Sequence, residues 1–197
     1  MAPRVLQPES AQPTIWNAFP CFDLVDTRLR DHTGKAVVFD RLAMPGWQSA
    51  FLQHWGWRAP VPAPPSDLRR LLEARDRVRR FLERAGSGRP PSTADRSYFK
   101  NLLAAAPFVY TIGSSGRLEV APTREGWAWA LAETVSSALR VATTKDVRRI
   151  KECANPDCSW LFYDETRNLS RRWCQVNYCG NLMKVREHRA RRRRGAA

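Results

Sequence analysis

Four of the five cysteines fall in two pairs with equal internal spacing, Cys153-x4-Cys158 and Cys174-x4-Cys179, with fifteen residues between the pairs. Two thiol pairs on tight turns, joined by a hairpin-sized insert, are what a tetrahedral metal asks for, and four soft thiolates select zinc. A shell of four cysteines leaves no position open to water, so the chemistry is structural: one Zn2+ holding together a module too small for its own core. Two disulfides are the alternative. The leftover fifth thiol, Cys21, and an N-terminus without an apolar signal-like run argue against an oxidising compartment, and the expected location is cytoplasmic. The other chemistries are poorly served: there is no H-x-E with P-C-x-x-C deaminase pattern, no G-x-S-x-G, and Gly113-Ser114-Ser115-Gly116 lacks the lysine and following helix of a phosphate loop. The expectation is a protein that is not an enzyme.

The metal ligands sit in a basic surround. The chain of 197 residues carries a formal charge of +14, from 33 Lys+Arg against 19 Asp+Glu. More than half of that excess lies in residues 145–197, which also hold the cysteine quartet. Lys151, Arg171 and Arg172 are placed to offset the negative charge of a zinc tetrathiolate. Arg167, Arg171 and Arg172 fall between the cysteine pairs; Lys184, Arg186, Arg189, Arg191, Arg192, Arg193 and Arg194 follow the last cysteine, where the apolar spacing of Tyr178, Leu182 and Val185 stops. A basic segment without an apolar face suits phosphate neutralisation, so a polyanion is the expected partner: DNA first, with RNA or a ribonucleoprotein surface as the alternative. No stretch reaches the length of a membrane span.

These groups need elements to carry them. Asn155-Pro156-Asp157 supplies a turn inside the first pair, Trp160–Tyr163 and Leu169–Trp173 read as two strands about a polar turn, and Asn177 as the cap of a helix with Cys179 in its first turn. Upstream, Leu42–Trp57 has helical apolar spacing, Ala59–Pro65 is an extended spacer, Ser66 can cap a helix ending at Gly86, and a shorter helix covers Ala94–Ala105. Phe108–Ile112 and Leu118–Val120 predict a β-hairpin, and Trp127–Thr144 a further helix. The fold class is therefore α+β: a mainly helical N-terminal domain with short β elements, then a treble-clef-like finger of hairpin and helix. The expected organisation is an arm over 1–14, a turn at His32–Lys35, a domain over 15–144, a finger over 145–190 and a basic tail over 191–197.

Cys153-x4-Cys158, Trp160-Leu161-Phe162, Asp164 and Arg167, Ser170-Arg171-Arg172-Trp173-Cys174, and Cys179-Gly180-Asn181 with Lys184 together resemble the CGNR zinc finger. The arginine that usually follows Cys-Gly-Asn is Leu182 here. Phe22-Asp23-Leu24-Val25-Asp26-Thr27 is similar to the ABATE domain that precedes this finger, with Asp26-Thr27 where Asn-Thr is common. The resemblance implies a stress-linked bacterial transcription regulator with a DNA-binding finger. It also implies an N-terminal domain that binds a small effector near Phe22, Asp26, Thr27 and Arg28, and a homodimer is compatible with that role.

Overall fold

The computed structural model describes residues 16–30 and 37–194. The arm expected over 1–14, the turn at His32–Lys35 and the tail residues 195–197 lie outside the described residues. In chain order the elements are α1 (Pro20–Val25), β1 (Arg28–Arg30), β2 (Val37–Asp40), a 3-10 turn (Arg41–Ala43), α2 (Pro45–Trp55) and α3 (Pro65–Gly86). There follow α4 (Thr93–Ala104), β3 (Phe108–Ile112), β4 (Leu118–Pro122), α5 (Trp127–Thr144), β5 (Ile150–Glu152), β6 (Leu161–Tyr163), a π-helical turn (Val176–Gly180) and α6 (Asn181–Arg194). Among the described residues the strands form three separate antiparallel pairs, β1–β2, β3–β4 and β5–β6, so the α+β class with a helical N-terminal part holds.

The core is a helix-on-helix layer. Helix α3 turns Leu71, Ala74, Val78, Phe81 and Leu82 inward at helical spacing, and α5 answers with Leu131, Val135, Ala138 and Val141. The short α1, buried along its whole length, packs against both. Pro65 occupies the first turn of α3, where its missing N–H costs nothing, so Ser66 is already helical and does not cap as the sequence suggested. The start of α4 is set by a capping box instead: the Ser92 hydroxyl accepts from the Asp95 amide at 3.0 Å and the Asp95 carboxylate accepts from the Ser92 amide at 3.1 Å. The proline-rich spacer is clamped. Buried Gln48 donates to the Leu42 carbonyl and accepts from the Ala63 amide, both at 2.8 Å, and the Trp127 indole donates to the Pro60 carbonyl at 2.7 Å.

One expected strand is absent. Leu161–Tyr163 pairs backwards with Ile150–Glu152, in the register Ile150↔Tyr163, Lys151↔Phe162 and Glu152↔Leu161, not forwards with Leu169–Trp173. Leu169 has φ of 55°, in the left-handed region that a strand cannot contain, and the Asp164 carboxylate takes the backbone amides of Thr166 and Arg171 that a hairpin ladder would use. The pair β5–β6 is thereby placed against the helical layer. Ile150 and Leu161 are buried in the same core as α1, α3 and α5, and the Phe19 and Tyr163 rings meet edge to face at 5.4 Å.

Asp26, which ends α1, makes the junction polar as well as apolar: its Oδ1 accepts from the Leu161 amide at 2.9 Å while Oδ2 is buried without a partner. Burial pushes the Asp26 carboxyl well above the usual carboxylate range despite that amide, and lifts nearby Asp23 to about 7 against hydrogen bonds from Asn17 and Trp55. Carboxyls raised in the folded state contribute stability that is complete below their unfolded value. It is lost as pH rises through the folded one, which for Asp23 is the window from 3.8 to about 7. Thermal stability should therefore decline across this window, by up to about 1.4 kcal/mol per pH unit per group. Asp26→Asn keeps an acceptor for Leu161 and cannot ionise, so it should stabilise modestly at pH 5 and more at pH 8. Asp26→Ala leaves a buried N–H unpaired and should be about 1–3 kcal/mol less stable than Asp26→Asn at either pH. Melting curves of the three proteins at pH 5 and 8 check both signs.

Candidate metal centre and nucleic-acid interface

The four Sγ atoms of Cys153, Cys158, Cys174 and Cys179 all lie within 4.8 Å of one another, with Cys158–Cys174 and Cys174–Cys179 each at 3.6 Å. Tetrahedral zinc with bonds of about 2.3 Å sets its sulfurs about 3.8 Å apart, so the cluster has the size of a zinc tetrathiolate shell. Its surroundings supply the N–H donors that thiolates want: the Cys174 amide and the Asn155 side chain approach the sulfurs of Cys153 and Cys179, each at 3.4 Å. The residues fit one structural zinc ion. The fifth cysteine is excluded: Cys21 lies in the helical core, where burial pushes its thiol up to about 12.

Each ligand is held by its own local device. Cys153 directly follows β5, and its amide bonds back to the Trp160 carbonyl at 2.8 Å. Between the first two ligands, Asn155 accepts from the Asp157 amide at 3.2 Å through its side chain and from the Cys158 amide at 2.9 Å through its carbonyl. Cys179 lies inside the π-helical turn, closed by the Gly180 amide on the Gln175 carbonyl at 3.1 Å; Asn177 is therefore not the cap that its residue type suggested. Gly180 lies close to the Trp173 ring, which packs with the four cysteines and Phe162 in a small second core: a Cβ there would sit 3.1 Å from the ring and push it by a few tenths of an ångström.

Around this shell lies a polar hub that spacing alone did not reveal. Asp164, fully buried, accepts from Lys151 Nζ at 2.7 Å and the Arg171 amide at 3.0 Å on Oδ2, and from the Thr166 amide at 2.9 Å and hydroxyl at 2.5 Å on Oδ1. Burial alone would raise its carboxyl; Lys151 and Thr166 outweigh it and hold the group at about 2. Lys151 is thus not the counter-charge for the metal that the sequence suggested, since its ammonium binds Asp164 and the Leu169 carbonyl. The signal in the sequence was the acidic residue directly after an apolar β segment.

The cations separate into two groups. Arg171 was expected to face a nucleic acid from a strand; instead its guanidinium donates to the carbonyls of Trp173, Cys174 and Tyr163 and lies 4.5 Å from the centre of the Phe162 ring. Arg186 reaches back to Asp157 at 2.6 Å, tying α6 to the turn between the first two ligands. Both are structural in this fold. Arg167 and Arg172 are exposed in the loop before Cys174, with Arg172 over the Trp173 ring at 5.1 Å. Lys184, Arg189 and Arg191–Arg194 are exposed on α6, none of whose residues is buried. Leu182 is half-covered, but Tyr178 and Val185 stay exposed, so the apolar spacing does not become a packed stripe.

The N-terminal residues expected to line a ligand site are taken up by the fold. Phe22 is core, and Thr27 donates to the Leu24 carbonyl at 3.0 Å and accepts from buried Arg75, which also grips Asp40 at 2.6 Å. Asp26 serves Leu161, and Arg28 pairs at the surface with Asp76 at 3.3 Å. A cleft of about 270 Å3 opens elsewhere, between α3, α4 and α5, lined by Glu73, Tyr98, Leu102, Ala105 and Leu131 with Arg70 at its edge.

Compared with known families, residues 149–192 match the CGNR zinc finger model. Residues 19–145 match the ABATE model, described as "Putative stress-induced transcription regulator". No curated protein matches the sequence.

The purified protein should contain one zinc per chain. Chelation should strip amide protection first from residues 153–181, where zinc replaces a hydrophobic core, while α3 and α5 keep theirs and the melting midpoint falls as Ile150 and Leu161 loosen. Cys174→Ser should reproduce chelation and Cys21→Ser should keep full zinc content; hydrogen exchange and metal analysis read both.

Proposed function

Because the chain belongs to the ABATE family and carries a CGNR zinc finger after that domain, we propose that it is a transcription regulator that binds duplex DNA through the finger. The observation that carries this reading is α6: a 14-residue helix of about 21 Å, with six exposed cations and no buried residue, whose first turn abuts the zinc ligand Cys179. A helix with nothing to bury finds its partner in an anion, and the major groove, about 12 Å wide, admits an α-helix. Arg167 and Arg172, on a loop fixed by Asp164 and by Cys174, supply further cations within the same finger.

The two sets serve different ends. Arg189 and Arg191–Arg194, beyond the anchor at Arg186, neutralise phosphates. Arg167, Arg172 and Lys184, close to the metal shell, are held well enough to address base edges. The sensing role of the N-terminal part, in this reading, belongs to the cleft between α3, α4 and α5, since Phe22, Asp26 and Thr27 are occupied by packing.

Removing residues 189–197 should weaken specific and scrambled duplexes alike and flatten the log K against log salt slope by roughly 3.6 if four arginines touch phosphate. Arg172→Ala should cost about 1–3 kcal/mol on the specific duplex and less on the scrambled one. Arg171→Ala, by contrast, should lower zinc retention and melting temperature. Titrations of both duplex types, and of an RNA of the same length, over a salt series check the assignment. A protein that prefers the RNA, or ignores all three, overturns it.

A further inference from the structure

The hairpin β3–β4 has one wholly apolar face. Its register pairs Phe108 with Pro122, Tyr110 with Val120 and Ile112 with Leu118, so these six residues point to the same side, while Val109, Thr111, Glu119 and Ala121 take the other. Its base meets the body, where the Phe108 ring lies 6.5 Å from Trp129. Exposure grows toward the tip: Phe108 50% and Val120 45%, then Tyr110 67%, Leu118 73% and Ile112 75%. An isolated two-stranded hairpin is marginal in water, and a contiguous apolar face of this kind marks an interaction site.

We infer that this face is the contact through which two copies of the chain associate. Three observations select that occupant. At about 200 Å2 for a whole large side chain, the five exposed side chains leave roughly 600 Å2 uncovered, against about 800 Å2 that each partner gives to a standard interface. Residues 106–126 hold two arginines and two glutamates, so in a chain of +14 the hairpin is neutral: it offers nothing to a polyanion and does not repel its own copy. The face also lines up three cross-strand pairs, Phe108–Pro122, Tyr110–Val120 and Ile112–Leu118, in one row that a two-fold axis can lay against the same row of a second copy. The association owes nothing to DNA binding and stands apart from the function proposed above.

The test is sedimentation equilibrium of the full-length zinc-loaded protein from 1 to 100 µM, without nucleic acid. A species of twice the 22.6 kDa chain mass is expected. The double variant Ile112→Glu/Leu118→Glu should dissociate at least about 100-fold more readily, with unchanged circular dichroism and zinc content, because both side chains are exposed in the protomer. Val109→Glu, on the opposite face, should leave the dimer intact. A wild-type monomer throughout, a double variant that stays dimeric, or equal disruption by Val109→Glu overturns the inference. So does a monomer that dimerises only once residues 1–15 are deleted, which would make the chain's own N-terminal segment the occupant.

Discussion

Four thiolates gathered within 4.8 Å repel one another until a dication sits between them, and the C-terminal third of the chain is organised around that constraint. The charges nearby are placed accordingly. Arg171 spends its guanidinium on the carbonyl of one ligand and those of its neighbours, Asn155 turns an N–H toward another, and Asp164 is kept away from the sulfurs by Lys151. The second core contains little besides the cysteines, Phe162 and two tryptophans, so the metal does the work that burial does elsewhere.

The finger is nevertheless no pendant bead. Its strands lend Ile150 and Leu161 to the helical core, its Trp160 indole donates to the Arg28 carbonyl at 3.1 Å, and Glu152 approaches Arg79 on α3. The Phe22–Thr27 segment thus has a structural meaning: Phe22 fills the core, Asp23 holds Asn17 and Trp55, Asp26 caps a finger amide, and Thr27 receives the buried Arg75. An amide side chain at position 26 would meet the Leu161 N–H as an acceptor just as well.

Much of this was legible in the residues. The cysteine spacing named the metal, because ligand geometry is local and tolerates few alternatives, and the stripes of α3 and α5 named the helices that form the core. What was not legible depended on contacts distant in sequence. The strand Leu161–Tyr163 was visible but its partner was not: Leu169 to Trp173 has strand-like composition, and only the Asp164 hub and the left-handed turn at Leu169 reject it. The contacts of Arg171 and Arg186 were hidden likewise, since a guanidinium held by carbonyls or by the Asp157 carboxylate reads no differently from one turned outward to phosphate. Asp26 looked like a ligand group because a carboxylate buried against a backbone amide 135 residues away leaves no local mark.

That long reach bears on how the chain is made. Helix α1 finds its neighbours in α3, α5 and β6, and the Asp26 carboxylate at its end accepts from Leu161. During synthesis from the N-terminus, α3 and α5 give this six-residue helix its first neighbours, whereas the residue 135 positions further on must leave the ribosome before the Asp26 contact can form. Closing so distant a contact is entropically slow, and short helices gain little by forming early. The helical layer can therefore assemble first, while its junction with the finger waits for strand β6, which in turn lies between two metal ligands. Completion of that junction becomes conditional on translation reaching the finger and on zinc being there to hold it.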